Sequence, residues 1–278
     1  EKMIPSSFEY HRPASVNEAL SLLQEYGDDA SLLAGGHSLL PAMKLRLSTP
    51  EHLVDIGHID DLRQIRQDGD DVSIGAAATH HDIESSDLVA SSAPLLAQSA
   101  SVIGDVQVRN AGTIGGSLAH ADPAADYPAA VLASDGTVEV LGPDGARSIA
   151  AADFFVELFA TALEPGEIIT ALRVPAVAAG TGTAYLKFPH PASRFAVCGC
   201  AAAITVSDGK CLSARIAFNG IASTAFRDAG LESALAGVSL DEDSVRTAVS
   251  GAAAGQELLE DYDVIILGDV QAERLLRS

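Results

Sequence analysis

The sequence predicts an α+β chain in three sections: a small βαβ-like lobe over residues 1–56, a second lobe of hairpins and helices over 57–175, and an antiparallel sheet backed by helices over 176–278. Three observations carry this reading. Short apolar runs bracket one capped amphipathic helix near the start, the order expected of a small α/β unit. Further on, Gly142-Pro143-Asp144-Gly145 and Ser207-Asp208-Gly209-Lys210 separate paired apolar runs, which is the punctuation of hairpins. Between those hairpins AVAAGTGT, residues 176–183, is the clearest linker-like shift in composition.

In the first lobe, SVNEALSLLQEY over 15–26 opens on Ser15 with Glu18 at the capping-box spacing and places Ala19, Leu22, Leu23 and Tyr26 on one face. Gly27 stops that helix. Residues 30–34 read as a short buried strand running into Gly35-Gly36, residues 39–47 as a brief helix or turn, and HLVDI over 52–56 as a second strand.

In the second lobe, residues 62–66 and 72–76 flank a polar turn and predict a hairpin, and Thr79 with Asp82 marks a helix start. APLLAQSASVI, 93–103, predicts a helix with its stripe at Leu95, Leu96, Ser99, Val102 and Ile103. Residues 137–141 and 146–149 form the next hairpin, and 168–174 a closing strand before Pro175. The third section predicts strands at 184–188, 196–206 and 212–218 and helices at 223–236, 241–254 and 270–276. No internal repeat interrupts this order.

With 278 residues, 47% of them hydrophobic and 20% charged, the chain can bury a sizeable core without staples. The formal net charge of −21 excludes duplex nucleic acid and anionic membrane as natural partners. No apolar run reaches the length of a transmembrane segment, and EKMIPSSFEY lacks a signal-peptide core, so a cytoplasmic protein is expected, with Met3 as its natural start. Cys198, Cys200 and Cys211 read as buried reduced thiols, one short of the set an iron–sulfur cluster takes from one chain.

The stretch that organises the chain is QVRNAGTIGGSLAHADPAAD, 107–126, with Gly112, Gly115 and Gly116 among small side chains. So little bulk argues against the centre of a core and for close approach of backbone to a guest. Its companion is LLAGGHSLLP, 32–41, and two Gly-Gly turns with hydroxyl flanks suggest two walls of one anion site. Neither is a G-x-G-x-x-G fingerprint or a phosphate-binding loop, and each by itself is also a tight turn. Asp126 suits either a ribose hydroxyl or the N-cap of a helix over 127–133. His80-His81 and the His120/Asp122 pair match no multi-ligand spacing, so no metal site is assigned. No residue set reads as a catalytic acid–base or nucleophile constellation either.

AGGHSLLP at 34–41, with IGDVQVRNAGTIGGSLAHADPAADYPAA at 103–130, resembles the FAD-binding medium subunit of molybdenum hydroxylases, in particular of the aerobic carbon monoxide dehydrogenase type. The resemblance runs from Ile4 to about Val206, and the last twenty residues depart from the family's Tyr-Arg-containing final helix. It implies a two-lobed FAD-binding domain of the vanillyl-alcohol-oxidase/PCMH type followed by an antiparallel sheet with helices. Carried over by position, Leu32, Leu33, Ala34, Gly35, Gly36, His37, Ser38 and Leu39 on one side would hold the cofactor. Ala111, Gly112, Thr113, Ile114, Gly115, Gly116 and Ser117 would hold it on the other, the diphosphate mainly through backbone N–H groups. Asp122 joins this set, Ile103 and Ile169 would line the adenine side, Asp126 would bind ribose, and Lys187 would lie near the isoalloxazine carbonyls. Phe195 stands where some relatives place a Tyr beside the flavin.

The implied role is electron transfer. A molybdopterin-binding large subunit would oxidise substrate, a small subunit would carry two [2Fe-2S] clusters, and this chain would pass electrons through FAD to a quinone, oxygen or another external acceptor. The expected assembly is a dimer of heterotrimers, a heterohexamer. Two rival readings are a stand-alone flavin oxidase and a non-catalytic nucleotide-binding scaffold subunit.

Overall fold

The structure, a computed structural model, describes residues 3–259. The helix expected at 270–276 and the departing last twenty residues fall outside that range, except for Leu259 itself.

The first lobe is a three-stranded parallel sheet of β1 (Glu9–His11), β2 (Ala30–Leu33) and β3 (His52–Asp55) in the order β1-β3-β2. Parallel neighbours require crossovers, supplied by α1 (Val16–Tyr26) and α2 (Leu39–Lys44). Ser15 caps α1, accepting from the Glu18 N–H at 3.2 Å, while the Glu18 carboxylate accepts from Ala14 N at 2.7 Å. Most of the expected stripe of α1 faces the core, with Ala19 buried and Leu22 and Leu23 half-buried against the same cluster; Leu20 joins it, while Tyr26 instead stacks on His52 with ring centroids 3.7 Å apart.

The second lobe holds a five-stranded antiparallel sheet in the order β4-β5-β10-β6-β7, from β4 (Ile65–Asp68), β5 (Asp71–Gly75), β6 (Thr137–Gly142), β7 (Gly145–Ala150) and β10 (Ile168–Pro175). Five helices connect β5 to the segment before β6: α3 (His80–Glu84), α4 (Asp87–Ser92), α5 (Pro94–Ser101), α6 (Val106–Arg109) and α7 (Ile114–His120), followed by α8 (Tyr127–Ala133). Thr79 and Asp82 form a reciprocal capping box at the start of α3. The run expected as one helix from residue 93 begins at Pro94 and stops at Ser101, and Val102 is exposed while Ala100 takes its place in the core. After β7 come α9 (Ala151–Phe154) and a small ribbon of β8 (Phe155–Glu157) and β9 (Ala160–Thr161).

The C-terminal section is a four-stranded antiparallel sheet of β11 (Thr181–Pro189), β12 (Ala196–Ser207), β13 (Lys210–Asn219) and β14 (Phe226–Arg227), with α10 (Ala229–Leu235) and α11 (Glu242–Ala248). The helix expected from residue 223 begins only at Ala229, because Phe226 and Arg227 pair with Phe218 and Ala217 as an edge strand. Asp228 then caps α10, accepting from Leu231 N at 2.9 Å. The helix expected over 241–254 ends at Ala248.

One core joins the second lobe to the C-terminal sheet. Every residue of α8 is buried, and its small side chains share a cluster with Val72, Ile74, Leu96 and Leu172 on one side and Tyr185, Ala201 and Ala217 on the other. A helix apolar on all sides, YPAAVLA, is what a wedge between two sheets requires. The glycine-rich stretch is not excluded from this core as its composition suggested: Ile114 and Leu118 of α7 are fully buried in it. A second cluster holds Cys198, Cys200 and Cys211 with Phe218 and Leu231, so the cysteines are buried free thiols as expected.

Candidate functional site

Between the two N-terminal lobes lies a cavity of about 630 Å³. The 32–39 segment forms one wall, the 112–117 segment the other, and a tight turn from the C-terminal section brings Arg194 and Phe195 to its mouth. Of the residues named from the sequence, all line it except Leu33, Ala111, Ile114 and Lys187.

The first wall is the open one. Leaving β2, the chain turns through Gly35 and Gly36, the latter at φ +73°, and enters α2 at Leu39. Among the described residues, the backbone N–H groups of Gly35, Gly36, His37, Ser38 and Leu39 donate to no protein acceptor. Consecutive unspent N–H groups beside a cavity form an anion cradle. Gly35 is required for another reason: a Cβ there would stand 2.2 Å from the carbonyl oxygen of Ala111, where the two walls touch backbone to backbone.

The second wall is largely closed on itself. Ile114 N donates to Ala78 O (3.1 Å), Gly115 N to Ala76 O (2.8 Å), Gly116 N to Thr113 Oγ1 (3.2 Å) and Ser117 N to Thr113 O (3.0 Å). Of the residues from Thr113 to Ser117, only Thr113 keeps an N–H without an acceptor among the described residues. The glycines here serve packing: a Cβ on Gly115 would lie 2.6 Å from the Ala76 Cβ, and one on Gly112 2.5 Å from His80 Nε2. The two Gly-Gly turns are therefore unlike. One offers donors, and the other lets α7 seat against the end of β5.

Asp126 reaches the cavity but does not cap α8. Its Oδ1 accepts from the Tyr185 hydroxyl at 2.6 Å and its Oδ2 from Lys187 Nζ at 2.7 Å. Burial raises the Asp126 pKa, outweighing the opposing pull of Lys187 and Tyr185. Lys187 also donates to Val102 O at 3.0 Å, so its ammonium is directed into this network and not to the cavity lining. Asp122 makes a turn, accepting from Ala124 N at 2.9 Å.

Among the lining residues with no cofactor assignment from the sequence are His80 and Glu167. His80, 5% exposed, has its pKa lowered to about 4 by burial, with nearby His37 and Arg109 adding to the effect, and its Nδ1 has no partner among the described residues. Glu167 is held by Arg147 (2.6 Å), which lowers its pKa. The capping box was the available signal for His80, since it starts a helix directly after the strand that ends at the cavity. Arg147 and Glu167 are twenty residues apart and left no local pattern.

A row of free N–H groups, an apolar lining from Ile103 and Ile169, and the room between the walls fit a cofactor with a diphosphate. The comparisons with known proteins agree. Residues 6–177 match the model for the FAD binding domain in molybdopterin dehydrogenase, and residues 183–264 that for the CO dehydrogenase flavoprotein C-terminal domain. The carbon monoxide dehydrogenase medium chain of Hydrogenophaga pseudoflava is 46% identical over 93% of this chain and 90% of its own length. The glyceraldehyde dehydrogenase medium chain of Sulfolobus acidocaldarius is 38% identical, over 89% and 88%. The solved carbon monoxide dehydrogenase from Hydrogenophaga pseudoflava superposes with a TM-score of 0.93 at 44% identity, covering 98% of this chain and 97% of that one. The chain belongs to the family of FAD-binding domains of molybdopterin dehydrogenases, as the flavoprotein medium subunit of a multisubunit molybdenum hydroxylase of the carbon monoxide dehydrogenase kind.

Proposed function

We propose that this chain is an electron relay, taking electrons from the [2Fe-2S] clusters of a small partner subunit and delivering them to an external acceptor such as a quinone or oxygen. Substrate oxidation would take place on a molybdopterin-binding large subunit, in a dimer of heterotrimers. The observation that carries the reading is the unspent N–H row of Gly35, Gly36, His37, Ser38 and Leu39 facing a glycine-walled cavity. FAD supplies the redox chemistry, joining two-electron and one-electron partners.

The chain's own residues bind and orient. The 35–39 loop and the Thr113 N–H would hold the diphosphate, the Thr113 N–H being, among the described residues, the one backbone N–H of 113–117 without an acceptor. Ile103 and Ile169 would give the adenine end an apolar seat. Asp126, held by Lys187 and Tyr185, would present its remaining acceptor capacity to the ribose. Lys187, bonded to Asp126 and to Val102 O, would act on the cofactor only through Asp126, as the countercharge that keeps that carboxylate fixed. Three buried thiols in reduced form suit a cytoplasmic setting.

The test has two stages. Purified chain reconstituted with FAD should become yellow with one flavin bound, and a colourless product would sink the reading. Candidate organic substrates should then leave that flavin oxidised until the reduced [2Fe-2S] subunit is added. Direct reduction by an organic donor would favour a stand-alone oxidase instead.

A further inference from the structure

Outside the cofactor cavity, the first lobe gathers three metal-binding side chains that residue spacing does not announce. Glu9 and His11 lie on β1, and a strand's two-residue period puts both on one face. The parallel register then sets Glu9 beside His52 of β3. Positions 9 and 52 are far apart in sequence, so only the pairing of the edge strand creates the cluster.

The donor atoms converge. His11 Nε2 is 3.0 Å from His52 Nδ1, and Glu9 Oε2 is 3.8 Å from His52 Nδ1. One ligand atom from each residue lies within 4.8 Å of the others. Ligands held at about 2.0–2.2 Å from a common zinc-sized ion stand roughly 3–4 Å from each other, a range that both separations to His52 Nδ1 meet. Tyr26 fixes the imidazoles: its ring stacks on His52 at 3.7 Å and 7°, and lies 5.1 Å from the ring of His11. Held rings lose little freedom when they ligate, and preorganisation of that kind favours binding.

We propose that Glu9, His11 and His52 bind one divalent transition-metal ion, with zinc as the reference, and that the ion clips the edge strand β1 to β3. Two imidazoles and a carboxylate match ions of borderline softness, whereas magnesium and calcium take oxygen ligands. Glu9 is largely exposed, leaving the fourth position to water, and the chain's charge of −21 lowers the cost of bringing a dication to its surface. The three residues do not line the cofactor cavity, so the ion would act on the stability of the lobe and not on the flavin. The pair's ordinary alternative is a hydrogen bond between two neutral imidazoles, which needs no ion.

The test uses the full, untagged, FAD-loaded chain, stripped with chelator and dialysed against zinc. One zinc per chain and a thermal midpoint that rises with zinc concentration are expected. His11→Ala and His52→Asn should each weaken binding by roughly tenfold or more with flavin content unchanged. His81→Ala, which alters an exposed histidine elsewhere, should keep the zinc. Glu9→Gln guards against misfolding, because its side chain is 76% exposed, and it should weaken binding in the same direction. Absence of zinc uptake, zinc retained by the His11→Ala/His52→Asn double variant, or unchanged affinity in Glu9→Gln would each overturn the site.

Discussion

Lys187 Nζ stands 2.7 Å from Asp126 Oδ2, with both side chains 5% exposed, and so ties the C-terminal sheet to the segment that closes the glycine-rich stretch. The surrounding contacts run the same way: Tyr185 donates to Asp126, Asn219 Nδ2 to Ala125 O (2.9 Å), Ala196 N to Ala124 O (3.1 Å) and Gly220 N to Pro123 O (2.7 Å). Each of residues 123–126 is thus held by a hydrogen bond from the C-terminal section. Because burial still raises the Asp126 pKa, the pair fixes geometry more than it adds net stability.

Removing one member of that pair leaves a buried charge alone. Lys187→Met should lower the unfolding free energy by about 3–5 kcal/mol, and the Lys187→Met/Asp126→Asn double variant should lose less than the two single losses combined. Urea unfolding of the four proteins in the cycle measures this directly.

His80 predicts an acid-sensitive fold. Its pKa is lowered to about 4 in the native state, so between the ordinary histidine value and 4 the unfolded chain binds the extra proton. Stability is then fully present above about pH 6.5 and falls as pH drops toward 4, by about 3 kcal/mol from this group alone. His80→Gln should flatten that limb of a stability–pH curve recorded between those limits.

The glycines separate by what surrounds them. Gly35→Ala drives a methyl into the Ala111 carbonyl, so the walls must part, and FAD affinity should fall by roughly tenfold or more, about 1.4 kcal/mol. Gly27→Ala meets no neighbour within 4 Å but sits at φ +52°, so it should cost about 1 kcal/mol of stability and leave FAD affinity unchanged. Recovery of quenched flavin fluorescence on titration reports both affinities.

The thiols should be inert in the native chain. Burial pushes Cys198 up to about 12 and raises Cys200 and Cys211 as well, so the thiolate that reacts is scarce. Ellman's reagent should label none of them in buffer and all three in denaturant; fast native labelling would show the second core to be open.

Local chemistry was legible wherever a few neighbouring residues settle it. The caps at Ser15 and Thr79, the turn at Gly142-Pro143-Asp144-Gly145 and the strand at 168–174 stand where the sequence put them. Tyr26 and the start of α10 were misplaced because partners distant in sequence, His52 and β13, decide which face or pairing wins, whereas Val102 leaves the core because α5 ends just before it at Ser101.

The sequence by itself determined the two glycine-rich segments, the buried thiols and the all-apolar wedge of α8, because backbone freedom and hydrophobicity are properties of the residues in place. Only the tertiary structure decided which glycine turn offers free donors, that Asp126 belongs to Lys187 and Tyr185, and that Glu9, His11 and His52 meet. Hydrogen-bond acceptors and strand register come from other parts of the chain, and a donor is spent or free only once the fold has supplied its partner.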